Sequence, residues 1–223
     1  MAKRRHDANQ DAEDAFIARV LDFSNWAQGN QQLLTVLTVV VAIFVAGGLY
    51  FRSYRAQLGN QAAQQLEVIH QSISLADTEG AKIDLATFLD RFGGTAFEGE
   101  ARLMLGQLYL DSSDPQQALA VLEPIGASPS SPVDFQAATL LAAAYEQEER
   151  WGEAEEVYLR IADRSDLSFQ VRDARAAAAR IRAAQGDGAG AIELYEEVLG
   201  ELEDNAPERG QFEMRIEEIR ANS

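Results

Sequence analysis

Residues 33–51, LLTVLTVVVAIFVAGGLYF, run for nineteen positions without a charged side chain. Nothing else in the sequence restricts the fold so strongly. A helix rising about 1.5 Å per residue would stretch this run over roughly 28 Å, close to the hydrocarbon thickness of a bilayer. Trp26 precedes it and Tyr50, Phe51 and Tyr54 close it, where aromatic side chains would sit at the two membrane interfaces. Arg52 and Arg55 follow, with stems that can lie on apolar surface while the charge reaches the headgroups. A core helix of a soluble domain keeps a polar face, which this run lacks. A cleaved leader would carry a shorter apolar stretch nearer the start. The expectation is a retained transmembrane anchor in contact with the lipid bilayer.

The anchor separates a polar tail, 1–32, from a helical part, 52–223. The chain holds 19 Lys and Arg against 36 Asp and Glu, a formal charge of −17. Tail and anchor together carry only −1 of it, so the rest belongs to residues 52–223. The opening MAKRRHDANQDAED is polar enough to be expected disordered. From Asp14 onwards Phe16, Ile17, Val20 and Phe23 recur at helical spacing, with Arg19 and Asp22 turned away. That is an amphipathic helix, lying either in the membrane interface or on a partner.

Composition excludes several functions. So acidic a chain lacks the basic face that phosphate neutralisation needs, so no nucleic acid is expected as a partner. With no cysteine there are no disulfides, thiolate metal sites, Cys nucleophiles or lipid-attachment thiols. Two histidines, His6 and His70, are too few for a histidine-built metal centre. No nucleophile–base pair stands out, so no catalytic residues, no metal site, no cofactor and no small-molecule substrate are expected. The Gly186–Gly190 run lacks the Lys-Ser/Thr of a phosphate loop and falls at a turn. Asp111–Asp114 lacks the glycine and terminal glutamate of a Ca²⁺ loop.

Residues 52–223 are rich in Ala, Leu and Glu and read as helix throughout, making the protein all-α. Breaks at Asp77–Gly80, Phe92–Thr95, Ser112–Pro115 and Gly126–Pro132 begin the punctuation. Further breaks near Arg150–Gly152, Arg164–Ser168, Gly186–Gly190 and Glu203–Pro207 complete about nine helices. Three stretches align with one another: LMLGQLYLDSSDPQQALAVLEPI, LLAAAYEQEERWGEAEEVYLRI and AAARIRAAQGDGAGAIELYEEV. Small residues recur at Gly106, Ala142 and Ala179, followed three places later by Tyr109, Tyr145 and Arg182. In each second helix alanine recurs at Ala118, Ala154 and Ala191, at intervals of 36 and 37 residues. Leu122, Tyr158 and Tyr195 follow four places on, then Ile125, Ile161 and Val198.

This pattern resembles the tetratricopeptide repeat (TPR), a helix pair of about 34 residues. A small residue lets two helices approach, large apolar residues fill the space beside it, and stacked pairs share one core. The resemblance implies an α-solenoid of helix pairs, ended by a capping helix that carries Phe212, Ile216 and Ile219 on one stripe. Residues 54–76 and 79–92 form a candidate first pair that lacks the small-residue signature, although Leu85, Phe88, Leu89 and Phe92 give it an apolar face.

In such arrays the first helices line a concave, partner-binding face. The repeat register puts Glu100, Leu103, Gln107 and Leu110 there, then Gln136, Thr139, Ala143 and Glu146, then Asp173, Ala176, Arg180 and Ala183. Only Arg180 could serve a carboxylate clamp of the co-chaperone kind, so side-chain contacts with a protein segment are the better expectation. The same positions also suit ordinary packing between repeats.

An anchor followed by an acidic TPR-like domain without cysteine is similar to the single-pass TPR-like proteins of the bacterial envelope, among them the ancillary subunits of the Sec translocon. The resemblance implies an adaptor or holdase in protein export or envelope assembly at the inner membrane. It also implies a cytoplasmic amino-terminus, a periplasmic domain, and contacts with the Sec translocon and periplasmic chaperones. Positive charges give two answers on orientation. Arg52 and Arg55 against Arg19 favour the opposite topology, whereas Lys3, Arg4, Arg5 and Arg19 against those two favour this one.

Overall fold

The computed structural model describes Trp26, residues 28–75 and residues 77–222. The polar start and the amphipathic helix expected before Trp26 lie outside them. The chain divides into two units, Met1–Gln57 and Leu58–Ser223. The helix α1, Gln31–Ser74, contributes to both.

In the first unit α1 carries the apolar run. It is long and apolar enough to cross a membrane, and none of its most apolar eighteen-residue stretch is buried. Ile43, Phe44 and Tyr50 are 66%, 77% and 75% exposed, which is not how a core helix of a soluble domain behaves. The two threonines in the run turn their hydroxyls inward on the helix. Thr35 Oγ1 donates to the Gln31 carbonyl and Thr38 Oγ1 to that of Leu34, each at 2.8 Å. Both threonine hydroxyls are thereby satisfied within the helix.

The second unit is a succession of helices ending in a cap. After the end of α1 come α2 (Thr78–Phe92), α3 (Glu98–Asp111), α4 (Pro115–Gly126) and α5 (Pro132–Gln147). Then follow α6 (Trp151–Arg164), α7 (Ser168–Ala184), α8 (Gly188–Glu201) and α9 (Arg209–Asn222). Every expected break falls at an end of one of these helices. From α2 to α9 each helix packs on the next, and α3 also meets α5, as stacked pairs require.

The pairing follows from the small residues. Ala118, Ala154 and Ala191 are fully buried, each the fourth residue of its helix. Ala81 is fully buried at the same place in α2, and Leu85 and Phe88 follow at the offsets of Leu122 and Ile125. The upstream pair therefore does carry the second-helix signature, 37 residues before Ala118. It lacks only the first-helix one, because the buried Ile69 occupies the register of Gly106, Ala142 and Ala179. Ala62, Leu66 and Ile69 of α1 join Ala81, Leu85 and Phe88 in one apolar cluster, and a larger one runs from Leu110 to Ile216.

The turns inside the pairs repeat as well. Ser113, Glu149 and Gly186 all have positive φ, at 59°, 57° and 87°. The next residue's amide then reaches back to a carbonyl five positions earlier: Asp114 to Tyr109, Arg150 to Tyr145 and Asp187 to Arg182, at 2.8–2.9 Å. Asp77, Asp114 and Asp187 cap their helices through the amides of Gly80, Gln117 and Gly190. Between pairs, Ser131 and Asp134 form a reciprocal capping box around Pro132. At the end Phe212 and Ile216 of α9 are buried, and the Phe212 ring lies 6.0 Å from that of Tyr195. Arg209 Nη1 donates to the Leu199 and Leu202 carbonyls, tying the start of α9 to the end of α8.

Candidate functional site

The first helices of three successive pairs, α1, α3 and α5, enclose a cavity of about 600 Å³. Its apolar lining comes from Ile73 on α1, Leu103, Met104 and Leu108 on α3, and Leu140 on α5. His70, Gln107, Asp111, Gln136 and Thr139 form a polar rim. Two short contacts hold that rim. His70 Nε2 is 3.2 Å from Glu100 Oε1, and Gln107 Nε2 donates to Asp111 Oδ1 at 2.7 Å. Thr139 donates within its own helix to the Phe135 carbonyl. Gln136 and Thr139 are exposed, so the cavity opens to solvent along them.

Of the concave-face residues expected from the register, Leu103, Gln107, Gln136 and Thr139 meet here, and Glu100 joins through His70. His70, Ile73, Met104, Leu108, Asp111 and Leu140 are additions that the register of the three aligned repeats does not supply. A signal for the first two is nonetheless present. His70 and Ile73 stand 37 residues before Gln107 and Leu110, the interval that separates Ala81 from Ala118.

The remaining expected residues do other work. Leu110 is a correction: at 7% exposure it belongs to the hydrophobic core, not to an open face. Ala143 and Ala176 are partly buried and pack against that core. Glu146 accepts from the Tyr158 hydroxyl at 2.9 Å and from Arg180 Nη2 at 2.8 Å, tying α5 to α6 and α7. Burial, and then the Glu146 carboxylate, push the Tyr158 phenol well above the usual tyrosine range. Asp173 is exposed on α7. Arg180 and Ala183 also line a second cavity of about 660 Å³, with Tyr195 and Arg215 on its far side. Burial likewise raises the Tyr195 phenol.

Arg182, where the other repeats have tyrosine, directs Nε to Glu155 Oε1 at 2.7 Å. Its aromatic counterparts receive cations instead: Lys82 Nζ lies 5.7 Å from the Tyr109 ring and Arg150 Cζ 4.6 Å from that of Tyr145. Each repeat therefore fills this position with an ionic or cation–π contact of its own. Among the described residues no group of three or more histidines or carboxylates is placed to hold a metal ion.

The family model of a tetratricopeptide repeat-like domain matches residues 24–221. Solved structures share the fold. The nearly identical TPR-like repeats of a Podosopora anserina protein described as a kinesin light chain superpose with a TM-score of 0.56 at 19% identity, covering 74% of this chain and 88% of that one. A point variant of the same repeats gives 0.56 at 20%, covering 74% and 87%. A tetratricopeptide repeat protein from Parabacteroides merdae ATCC 43184 gives 0.60 at 12%, covering 72% of this chain and 60% of that one. No curated protein matches the sequence.

Proposed function

This chain belongs to the tetratricopeptide repeat-like domain family, and on that premise we propose that it is a membrane-tethered adaptor whose groove holds a segment of another protein. The fold is a non-catalytic scaffold for protein–protein interaction. One observation carries the reading: an open, apolar-floored cavity built by the first helices of three successive pairs, on a chain that also presents an exposed apolar helix. The helix over 33–51 is the anchor, in the inner membrane of a bacterium. The amino-terminus faces the cytoplasm and the repeat domain the periplasm. The work is protein export or envelope assembly, with the Sec translocon and periplasmic chaperones as partners. Support for these finer points comes from the likeness to single-pass envelope proteins described above.

Arg52 and Arg55 at the carboxyl end of the anchor favour a second reading, in which the repeats face the cytoplasm and recruit proteins to the membrane. A reporter fused after Ser223 separates the two. Activity only outside the cytoplasm supports the first, and activity only inside it supports the second. A photo-crosslinking residue at Thr139 tests the groove itself, because it should trap protein partners that the same group on the opposite face of the repeats does not.

A further inference from the structure

Resting on the groove reading, we propose that the cavity between α1, α3 and α5 takes an apolar side chain borne on a cationic peptide segment of the partner. The floor dictates the first half. Ile73, Leu103, Met104, Leu108 and Leu140 offer an apolar surface that gains from removing another apolar group from water. The rim dictates the second. Asp111 lies on the cavity edge and Glu100 stands beside it on His70, while no Lys or Arg occurs among its described lining residues.

One neighbouring turn of α1 has the same sign. Glu67 is exposed on α1 at the register of Met104 and Leu140, both of which face the cavity. The nearest basic side chain of α3, Arg102, is engaged elsewhere: it holds Glu98 at 2.9 Å and reaches the Val121 carbonyl on α4. A fatty acid or a peptide carboxyl-terminus would bring its charge against Glu100 and Asp111 with no Lys or Arg among the described lining residues to receive it. A Lys- or Arg-bearing segment instead meets complementary charge, which speeds encounter and fixes register around a buried anchor.

A displayed library of random twelve-residue peptides, selected on the full chain in nanodiscs of zwitterionic lipid and counter-selected on Thr139→Arg, tests this. Thr139 is exposed, so that variant should keep its helicity. Gln136→Arg serves in its place if it does not. The expected survivors combine Lys or Arg with Leu, Ile, Phe or Met. Their affinity should fall at least tenfold in Glu100→Gln/Asp111→Asn, and again when the apolar residue is changed to Ser. Survivors that are acidic or uncharged, or that bind equally without the apolar residue, overturn the inference but leave the groove reading standing. If nothing survives the counter-selection and the Thr139 crosslinker traps no protein, both fall.

Discussion

Gly106 on α3 lies so close to Leu122 on α4 that a Cβ on the glycine would stand 2.5 Å from the leucine's Cγ and Cδ2. Leu122 is fully buried, so its side chain has nowhere to swing. A mid-helix glycine costs about 1 kcal/mol of helix propensity relative to alanine, and here it lets the two helices of a pair meet. Gly106→Ala should therefore lose about 1–2 kcal/mol in urea unfolding, because overpacking exceeds the propensity gain. Gly200→Ala is the control. Nothing lies within 4 Å of its Cβ position, and it should gain about 0.5 kcal/mol. A stabilised Gly106→Ala would show that the pair separates easily and that the small residue is not needed.

The turns within pairs offer the opposite experiment. Ser113 and Glu149 hold φ near 59° and 57°, where the register gives the third repeat Gly186. A Cβ in that region crowds the following carbonyl at a cost of roughly 1–2 kcal/mol, part of which glycine's extra unfolded-state freedom takes back. Ser113→Gly and Glu149→Gly should each raise stability by about 0.5 kcal/mol, whereas Gly186→Ala should lower it by about 1 kcal/mol. Urea midpoints of the three variants check this, and a loss in the first two would mean that the turns are unstrained.

These positions also show what was legible in the sequence. The alanines of the second helices, the breaks and the capping stripe could be read because burial and turn chemistry act on short, periodic patterns. The first pair shows in the sequence only as a candidate, because Ile69 takes the place of a small residue there, obscuring the Ala81 signature and with it the groove residues His70 and Ile73. Leu110 was misplaced for a related reason. Repeat register gives a residue's angle around its helix, but not how closely the next pair covers it. The same register position is core at Leu110 and an ion-pair site at Glu146.

The Tyr158 hydroxyl gives a pH prediction. Burial and Glu146 raise its pKa above the reference value of 10.0, so the folded protein holds this proton after the unfolded chain has released it. Stability from this group is fully present below pH 10 and falls as pH rises beyond it. Tyr195, raised by burial, acts in the same direction. Tyr158→Phe should cost about 1 kcal/mol at neutral pH through the lost hydrogen bond, and it should flatten the decline above pH 10. Unfolding free energies between pH 8 and pH 11 in urea, with the protein in nanodiscs, measure both. An equally steep decline in the variant would remove Tyr158 from the account.

Leu103 and Leu110 lie two turns apart on α3 and should respond differently to the same change. Leu110 is in the core, so Leu110→Lys buries an unpaired ammonium and should cost more than about 3 kcal/mol, with visible loss of helicity. Leu103 is only partly buried, at the cavity wall, and a lysine there can reach solvent past the exposed Thr139. Leu103→Lys should retain its circular dichroism while crosslinking from Thr139 falls by at least tenfold, since it removes apolar floor and adds the wrong charge. Leu103→Met, which conserves volume and polarity, should restore capture. If Leu103→Lys leaves crosslinking unchanged with helicity intact, partners do not use this cavity, and the binding face must be sought on the second helices.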